Sequence, residues 1–338
     1  MNASAAAVWD LCDGQRTVLE INRELASVLR RSNADLFPDI QLAVNELSKM
    51  EMIEIAPPPV SDAREVLMAM RAAPAMAIGF NGTAVTIHTE VECVRAHLAN
   101  RFGRLAASGG EANVADLYVQ ASGDRYLLCG ESGETRYLGG LGDVLQELEM
   151  VLVQTLVDAN PDLLWMHAGA VADDAGAIMV VGPSGAGKSM FITGLARESR
   201  VYLSDDVLPV RKETSEALPF PLAPSVRLAA GPRLPAHRIQ NVERESVALS
   251  DDRIGRAPFR LAAVLLPVFD AGKSAQIREP SASQVARVLI ENSLNIAQHQ
   301  ERAVAYLCEL ANTVPALELR YGDRAAALEL AARALPSC

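Results

Sequence analysis

The chain has 338 residues, of which 50% are hydrophobic and 22% are charged. This composition is ordinary for a globular protein with a sizeable core, and the length allows about two domains of roughly 150 residues each. Its 31 basic and 42 acidic side chains give a net charge of −11, which makes a nucleic-acid backbone an unfavourable partner.

The sequence shows no signal for membrane insertion or export. Its most apolar run, residues 261–269, has the length of a strand, whereas a helix that spans a bilayer needs about 20 apolar residues. No positive charge precedes the apolar stretch at the start of the chain, which argues against a secretory signal. The five cysteines are scattered without C-x-x-C spacing and favour reduced thiols over a disulfide or zinc framework. We therefore expect a cytoplasmic protein that binds neither membranes nor nucleic acid.

Residues 1–56, called the head below, predict three short helices and a strand. The first helix ends at the turn Asp13-Gly14, and a T-x-x-E capping box at 17–20 opens the second. Apolar residues at three- and four-residue spacing share one face of the third helix: Phe37, Ile40, Val44 and Leu47. The strand, 52–55, is followed by the stiff spacer Pro57–Pro59. This pattern favours a small winged-helix domain; a helical cap with only a packing role is the alternative.

The run W-x-L-C-D-G-x-x-T-V-x-E-I, from Trp9 to Ile21, makes the head similar to the PqqD family. The resemblance covers nearly all of 1–56 and implies a module that holds leader peptides of ribosomally made, modified peptides. Family members usually have a β-hairpin before the first helix, and the captured peptide adds to that sheet. This sequence begins at the expected first helix, so peptide capture by the head is left open. DNA binding, another use of winged helices, is less favoured because the segment is not clearly basic.

Residues 63–162 predict an α+β lobe with few chemical signals. The predicted elements are a hairpin over 75–89 turning at Asn81-Gly82, a hairpin over 115–131 turning at 122–124, and an amphipathic helix over 141–160. His88 and His97 lack other ligand types at metal spacing, so we expect them to be surface or packing histidines.

A glycine-rich loop follows a strand in the next segment. Residues 177–181 are continuously apolar, as in strands covered on both faces. Residues 182–189 then fit the P-loop pattern G-x-x-x-x-G-K-[ST], before a helix from Met190 to about Arg197. In such a loop backbone N–H groups surround phosphate oxygens, the lysine neutralises their charge and the serine hydroxyl holds Mg²⁺. The sequence therefore predicts a nucleotide-phosphate site.

The stretch 201–207 predicts another apolar strand, whose end presents Asp205 and Asp206. Because side chains alternate along a strand, the two carboxylates are expected to point in opposite directions and to have different roles. One can complete the Mg²⁺ shell, and the other can accept the proton of an incoming hydroxyl. A pair of solvated turn acids is the alternative. In most motor and switch ATPases, the aspartate that helps to hold the metal directly ends a later apolar strand. Here the later apolar strand, 261–268, does not run directly into Asp270, so a motor or switch ATPase is less favoured.

Residues 163–335 resemble HPr kinase and its relatives, which share a nucleotide-binding core with phosphoenolpyruvate carboxykinases. In that family a histidine opens the strand before the loop, the loop reads GxSGxGKS, and a DD pair follows the loop's helix. The matching residues are His167, 182–189 and 205–206. The similarity extends over a helical tail at the C-terminal end.

The resemblance implies a role for each matching residue. Asp205 is expected to be the base on the acceptor hydroxyl, Asp206 and Ser189 to hold Mg²⁺, and Lys188 to act on the phosphates of ATP. His167 is expected to shape the aspartate pair, and a satisfied core histidine is the alternative. The implied ATP contacts are Gly182, Ser184, Gly185, Ala186, Gly187, Lys188, Ser189 and Met190.

The sequence departs from HPr kinases after the DD pair. Their ExRGxG signature is missing, and PFPLAPSVRLA at 219–229 takes its place, with Arg227 as a candidate phosphate clamp. The next stretch, 231–260, is rich in arginine and histidine and is either a mobile phosphate clamp or a solvated charged loop. HPr is therefore not the expected substrate.

Together these patterns predict an α/β protein with a P-loop domain of the HPr-kinase and phosphoenolpyruvate-carboxykinase type. The predicted parts are the head (1–56), a Pro-rich linker (57–62), the lobe (63–162) and the ATP-binding domain (163–338). The expected function is ATP- and Mg²⁺-dependent phosphorylation of a Ser or Thr hydroxyl on a ribosomally made precursor peptide or small protein, beside a peptide-modifying enzyme as partner. An inactive ATP-binding scaffold and an ATPase-type assembly factor are the alternatives. The peptide, the acceptor residue and any homo-oligomer are left open.

Overall fold

A computed structural model of the chain divides it into two compact units, Met1–Leu67 and Met68–Cys338, which are described separately. The structure describes residues 3–14, 16, 18–29, 40, 43, 44, 47, 52, 53, 71–122, 125–130, 135–183, 185–198, 200–227, 244–246 and 249–335. Within these ranges no helix is both long enough and apolar enough to cross a bilayer.

The first unit is built on short helices around a small apolar core. Helices α1 (Ala3–Trp9) and α2 (Val18–Leu29) flank the turn in which Gly14 has a φ of 76°. Ile40, Val44 and Leu47 are helical and buried, which confirms that these three residues share one face. The core consists of Val8, Ile21, Leu25, Ala26, Ile40, Ala43, Val44 and Leu47.

Several predicted features of the head lie outside the described residues. They are the capping residue Thr17, Phe37, residues 54–55 of the predicted strand, and Pro57–Pro59. Met52 and Ile53, the described part of that strand, adopt no regular secondary structure.

The second unit begins with a five-stranded sheet in the described range 75–139. Its strands, in spatial order, are β1 (Ala75–Phe80), β2 (Thr83–His88), β3 (Ala112–Ser122), β4 (Arg125–Cys129) and β5 (Thr135–Gly139). Both predicted hairpins are confirmed as antiparallel pairs, β1–β2 and β3–β4. Asn81 and Gly82 have φ angles of 51° and 83°, the left-handed conformation that a two-residue hairpin turn requires. Strands β2 and β3 are parallel because the chain crosses over through a helix that the sequence did not predict, α3 (Glu92–Phe102).

Helix α4 (Leu141–Ala159) confirms the predicted amphipathic helix and covers this sheet. Its fully buried residues recur every four positions: Val144, Leu148, Leu152 and Leu156. The core beneath α4 continues into the following segment, since the ring of Phe80 lies 5.2 Å from that of Trp165 and 5.1 Å from that of Phe220. The lobe and the region after residue 163 thus share one hydrophobic core.

The remaining described strands form a larger sheet and a separate two-stranded pair. The strands are β6 (Leu164–Met166), β7 (Ala168–Asp173), β8 (Gly176–Val181), β9 (Val201–Ser204), β10 (Leu208–Arg211), β11 (Glu216–Ala217), β12 (Ser225–Arg227), β13 (Arg244–Ser246), β14 (Phe259–Phe269), β15 (Gln276–Arg278) and β16 (Ala316–Tyr321). The sheet order is β6-β10-β11-β14-β8-β7-β9, with β16 between β14 and β15, while β12 pairs with β13. Strands β8, β14 and β16 are mutually parallel, and β7 is antiparallel to both β8 and β9.

Helices cover both faces of the larger sheet. They are α5 (Lys188–Glu198), α6 (Ala282–Glu291), α7 (Ile296–His299), α8 (Glu301–Thr313) and α9 (Arg324–Ala334). Helices α6 and α8 pack on one face and α5 and α9 on the other. Residues 177–181 of β8 are buried, as predicted for a strand covered on both faces. The mixed α/β class is therefore confirmed.

Two element boundaries differ from the sequence expectation. The apolar stretch before the loop is divided at His167, because β6 pairs with β10 whereas β7 pairs with β8 and β9. Part of the expected helical tail is strand β16, whose apolar residues complete the parallel core beside β14.

Candidate functional site

The topology of the larger sheet brings three predicted site segments to one edge. Since β7 is antiparallel to β8 and to β9, the ends of β8 and β9 lie beside the start of β7. The register pairs Ala168 with Val181 and Ala170 with Ser204. His167, the glycine-rich loop after Val181 and the aspartates after Ser204 therefore meet at this edge.

The glycine-rich loop has a backbone that side chains would disturb. Gly185 and Gly187 have φ angles of 83° and 93°, in the left-handed region that favours glycine. A Cβ atom at Gly187 would also collide with the hydroxyl of Tyr321, which donates a 3.0 Å hydrogen bond to the carbonyl of Ala186. Phe191 and Phe269 pack edge-on against the Tyr321 ring and fix its position. The loop is thus held in shape from β16.

The other predicted nucleotide contacts lie in or next to this loop. Gly182 follows β8 directly, and Ser189 and Met190 belong to the first turn of α5. That helix begins at Lys188, two residues before its expected start. Ser184 lies outside the described residues.

Lys188 is folded across the loop rather than extended into solvent. It is 7% exposed, and its Nζ donates to the Gly182 carbonyl at 2.8 Å and lies 3.2 Å from His167 Nε2. The ammonium group therefore sits inside the loop, where a bound phosphate would need a positive charge.

His167 links the lysine to the aspartates. Its Nδ1 lies 3.2 Å from the backbone carbonyl of Asp206 and 3.4 Å from Asp206 Oδ1. Burial of the ring, followed by the nearby Lys188 charge, lowers the pKa of His167 below its ordinary value of 6.5, although Asp206 acts in the opposite direction. A neutral imidazole satisfies both contacts, because Nδ1–H can donate to the carbonyl while Nε2 accepts from the ammonium.

The two aspartates have different surroundings, but the predicted strand over 201–207 ends at Ser204, so they lie in a bend and strand alternation does not account for the difference. Asp205 is 3% exposed, whereas the Asp206 side chain is 44% exposed. Burial, and then the charge of Asp205, raises the pKa of the neighbouring Tyr202 phenol well above its ordinary value. A Cβ atom at Gly169 would lie 2.8 Å from the carbonyl oxygen of Ser204 and 2.9 Å from that of Asp205. Glycine at this position lets the aspartate segment lie directly on β7.

The structure describes only some of the arginines that the sequence offered as phosphate-binding candidates. Arg227 ends β12, opposite Arg244 of β13, and the structure describes the backbone but not the side chains of these strands. Arg256 lines a shallow cavity of about 440 Å³ with Val201, at the end of β9 away from the aspartates. Of the stretch 231–260, residues 231–243, 247 and 248 lie outside the described part of the chain.

Sequence reasoning missed one charged residue at this edge. Arg101, on α3 of the lobe, is 8% exposed, and its Nη2 lies 3.8 Å from Asp206 Oδ2. Nothing in the pattern of α3 distinguishes it from Arg95 on the same helix, since the shared core of lobe and larger sheet brings it to Asp206.

Comparison of the chain with models of known protein families and with curated proteins finds no match.

Proposed function

We propose that the protein is an ATP- and Mg²⁺-dependent kinase that phosphorylates a Ser or Thr hydroxyl of a ribosomally made precursor peptide. The observation that carries the proposal is the chain of contacts from Lys188 through His167 to Asp206 at the mouth of the glycine-rich loop. A lysine and a carboxylate pair beside such a loop are residue types that phosphoryl transfer uses to bind phosphate, hold Mg²⁺ and accept the proton of the acceptor.

The residues present fit a nucleotide phosphate. Left-handed glycines at 185 and 187 allow successive backbone N–H groups to turn toward an anion, and the Lys188 ammonium already points into the loop. Residues 182–190 would hold the phosphates, with Ser189 and Asp206 available to the metal. Bound MgATP would supply the phosphoryl group and the cation that balances its charge.

The chain's own groups would then divide the work. Lys188 neutralises phosphate charge. His167 stays neutral because its pKa is lowered, so it adds no second positive charge beside Lys188. Asp205 is proposed as the base for the acceptor hydroxyl and Asp206 as the metal partner. The opposite assignment, with Asp206 as the base and Asp205 as the metal partner, is the rival. It is favoured by exposure, because Asp206 is accessible to an incoming hydroxyl and Asp205 is buried.

One observation favours the second candidate function, a non-transferring ATP-binding scaffold. The proposed base, Asp205, is 3% exposed, so an acceptor hydroxyl can reach it only if the surrounding segment moves. The missing ExRGxG signature points in the same direction. The presence of Lys188 and of both aspartates favours the kinase over the scaffold.

Mass spectrometry of short peptides encoded by the genes that flank the gene of this protein, each incubated with the protein, ATP and Mg²⁺, tests the proposal. A kinase adds about 80 Da, one phosphate, to the peptide. Lys188→Ala should abolish that product, and Lys273→Ala, a change of an exposed lysine, is the matched control. Thermal stabilisation by ATP without any modified peptide would identify the scaffold, and ATP hydrolysis without transfer would identify an ATPase.

A further inference from the structure

Arg101 is a buried cation whose three guanidinium nitrogens face three different elements. Nε lies 3.4 Å from Glu149 Oε2 on α4, Nη1 donates to the carbonyl of Ala223, and Nη2 lies 3.8 Å from Asp206 Oδ2. The backbone carbonyl of Arg101 in turn accepts a 2.9 Å hydrogen bond from the Ala223 amide. Such a filled fork has one orientation, unlike a surface arginine.

Glu149 fixes the side of the fork that faces away from the site. Its Oε1 lies 2.6 Å from His97 Nε2, on the helix turn before Arg101. Burial alone would raise the pKa of Glu149, but the His97 hydrogen bond and the Arg101 charge outweigh it and hold the pKa below its ordinary value. The carboxylate is therefore charged and balances part of the guanidinium charge.

The Asp206 carboxylate lies between two groups, one beside each of its oxygens. Oδ1 is 3.4 Å from His167 Nδ1, and Oδ2 is 3.8 Å from Arg101 Nη2. Among the contacts of the described residues, Arg101 and the imidazole are the side-chain groups beside the exposed carboxylate. The guanidinium nitrogens of Arg101 already face partners, and its side chain is buried. Arg101 can therefore act on the site only through Asp206.

We propose that Arg101 is a positioning residue, supplied by the lobe, that orients the Asp206 carboxylate at the glycine-rich loop. The predicted effect of Arg101 on phosphate transfer rests on the proposed function. The pairing of Arg101 with Asp206 does not, because it exists in the protein without nucleotide. The pairing also assigns a role at this edge to the lobe.

The first test measures the pairing in the nucleotide-free protein by urea unfolding. Asp206→Asn should lower the midpoint when Arg101 is present, because it removes a counter-charge from a buried cation, and should not lower it in an Arg101→Gln background. Arg95 is the matched control, since it lies on the same helix and pairs only with Glu92 at the surface among the contacts described. Asp206→Asn in an Arg95→Gln background should lower the midpoint as in the wild type. Equal effects in all three backgrounds would overturn the proposal.

The second test measures transfer of phosphate to the same precursor peptide. Arg101→Lys keeps the charge but cannot make the three contacts, so the Mg²⁺ concentration that gives half-maximal transfer should rise roughly 10–100-fold, as for other residues that orient a metal ligand, with a smaller change in kcat at saturating Mg²⁺. Combining it with Asp206→Asn should cause no further loss beyond Asp206→Asn alone. If the losses of the two single variants multiply in the double variant, Arg101 acts independently of Asp206 and has only a structural role.

The two tests separate the proposals. A wild-type protein that transfers no phosphate contradicts the proposed function, while the unfolding comparison still decides whether Arg101 holds Asp206. If Arg101→Gln does not fold, Glu149→Gln serves as a different background: it removes one counter-charge of Arg101, so Asp206→Asn should lower the midpoint more there than in the wild type, and an equal effect would overturn the proposal. A kinase whose unfolding effects are additive retains its function and loses the proposed role of Arg101.

Discussion

At the scale of single residues, His167 is the group whose surroundings most affect the protonation of the site. Its ring is wedged between a lysine and an aspartate, and burial together with Lys188 lowers its pKa below 6.5. The imidazole is thus neutral at physiological pH, and the positive charge at this edge belongs to Lys188 and Arg101.

This lowered pKa predicts a pH dependence of stability. Below 6.5 the unfolded chain binds a proton at this histidine before the folded protein does, so acid favours unfolding. The contribution of His167 is complete above pH 6.5 and is lost as the pH falls toward the lower folded pKa. Urea unfolding at pH 7.5 and 5.5 should show a larger loss for the wild type than for His167→Gln. Equal losses would contradict the assignment, and imidazole titration by NMR measures the pKa directly.

The two aspartates predict separable defects. Asp205→Asn keeps the shape of the side chain but cannot accept a proton, and a positioned base contributes about 10²–10⁴ in rate, so transfer should fall by that factor with ATP and Mg²⁺ binding nearly unchanged. Asp206→Asn should weaken Mg²⁺ binding first, because a metal ligand acts already in the ground state. Calorimetry and single-turnover kinetics on both variants separate the two roles. Reversed results would make Asp206 the base, and two active variants would show that neither carboxylate takes part in transfer.

At the scale of elements, the loop between β8 and α5 depends on its neighbour β16. Gly185 and Gly187 share the left-handed conformation, but only Gly187 lies against another side chain, the Tyr321 hydroxyl. An apolar strand with a tyrosine at its end therefore supports a loop far from it in sequence.

This difference predicts unequal costs for two alanine substitutions. Gly185→Ala adds only the strain of a left-handed alanine, about 1–2 kcal/mol. Gly187→Ala adds the collision with Tyr321 to that strain and should exceed it by about 1 kcal/mol or more. Differential scanning calorimetry, with ATP affinity measured alongside, checks the order. Tyr321→Phe in the Gly187→Ala background should recover part of the loss, and equal costs for the two alanines would show that the hydroxyl gives way freely.

At the scale of the whole molecule, the chain consists of two units with separate cores. The described core residues of the first unit all lie between Val8 and Leu47, and those of the second form three clusters of their own. The candidate site lies wholly in the second unit, and the proposed peptide-recognition module lies in the first.

Removal of Met1–Leu67 should therefore separate recognition from chemistry. ATP affinity should be unchanged because every residue of the site remains, whereas the precursor peptide should bind at least about tenfold more weakly, about 1.4 kcal/mol. Fluorescence anisotropy with the labelled peptide and calorimetry with ATP measure the two quantities. Equal peptide affinity with and without the segment would make the head a structural cap.

The sequence by itself determined the local elements of the second unit. The Asn81-Gly82 hairpin, the helix over 141–159, the buried strand 177–181 and the loop-to-helix transition all follow from turn chemistry and from apolar periodicity, which are local properties of the chain. The different surroundings of Asp205 and Asp206 do not follow from strand geometry, because β9 ends at Ser204 and both aspartates lie in the bend after it.

The tertiary structure alone decided which distant residues meet. No local pattern marks Arg101, Gly169 or Tyr321, because each is brought to the site by strand order and by a core shared between lobe and larger sheet. The break at His167 has the same cause, since β6 and β7 pair with different strands and a continuous apolar run does not reveal its partners. Periodicity fixes which face of an element is buried, whereas the choice of partner depends on packing along the whole chain.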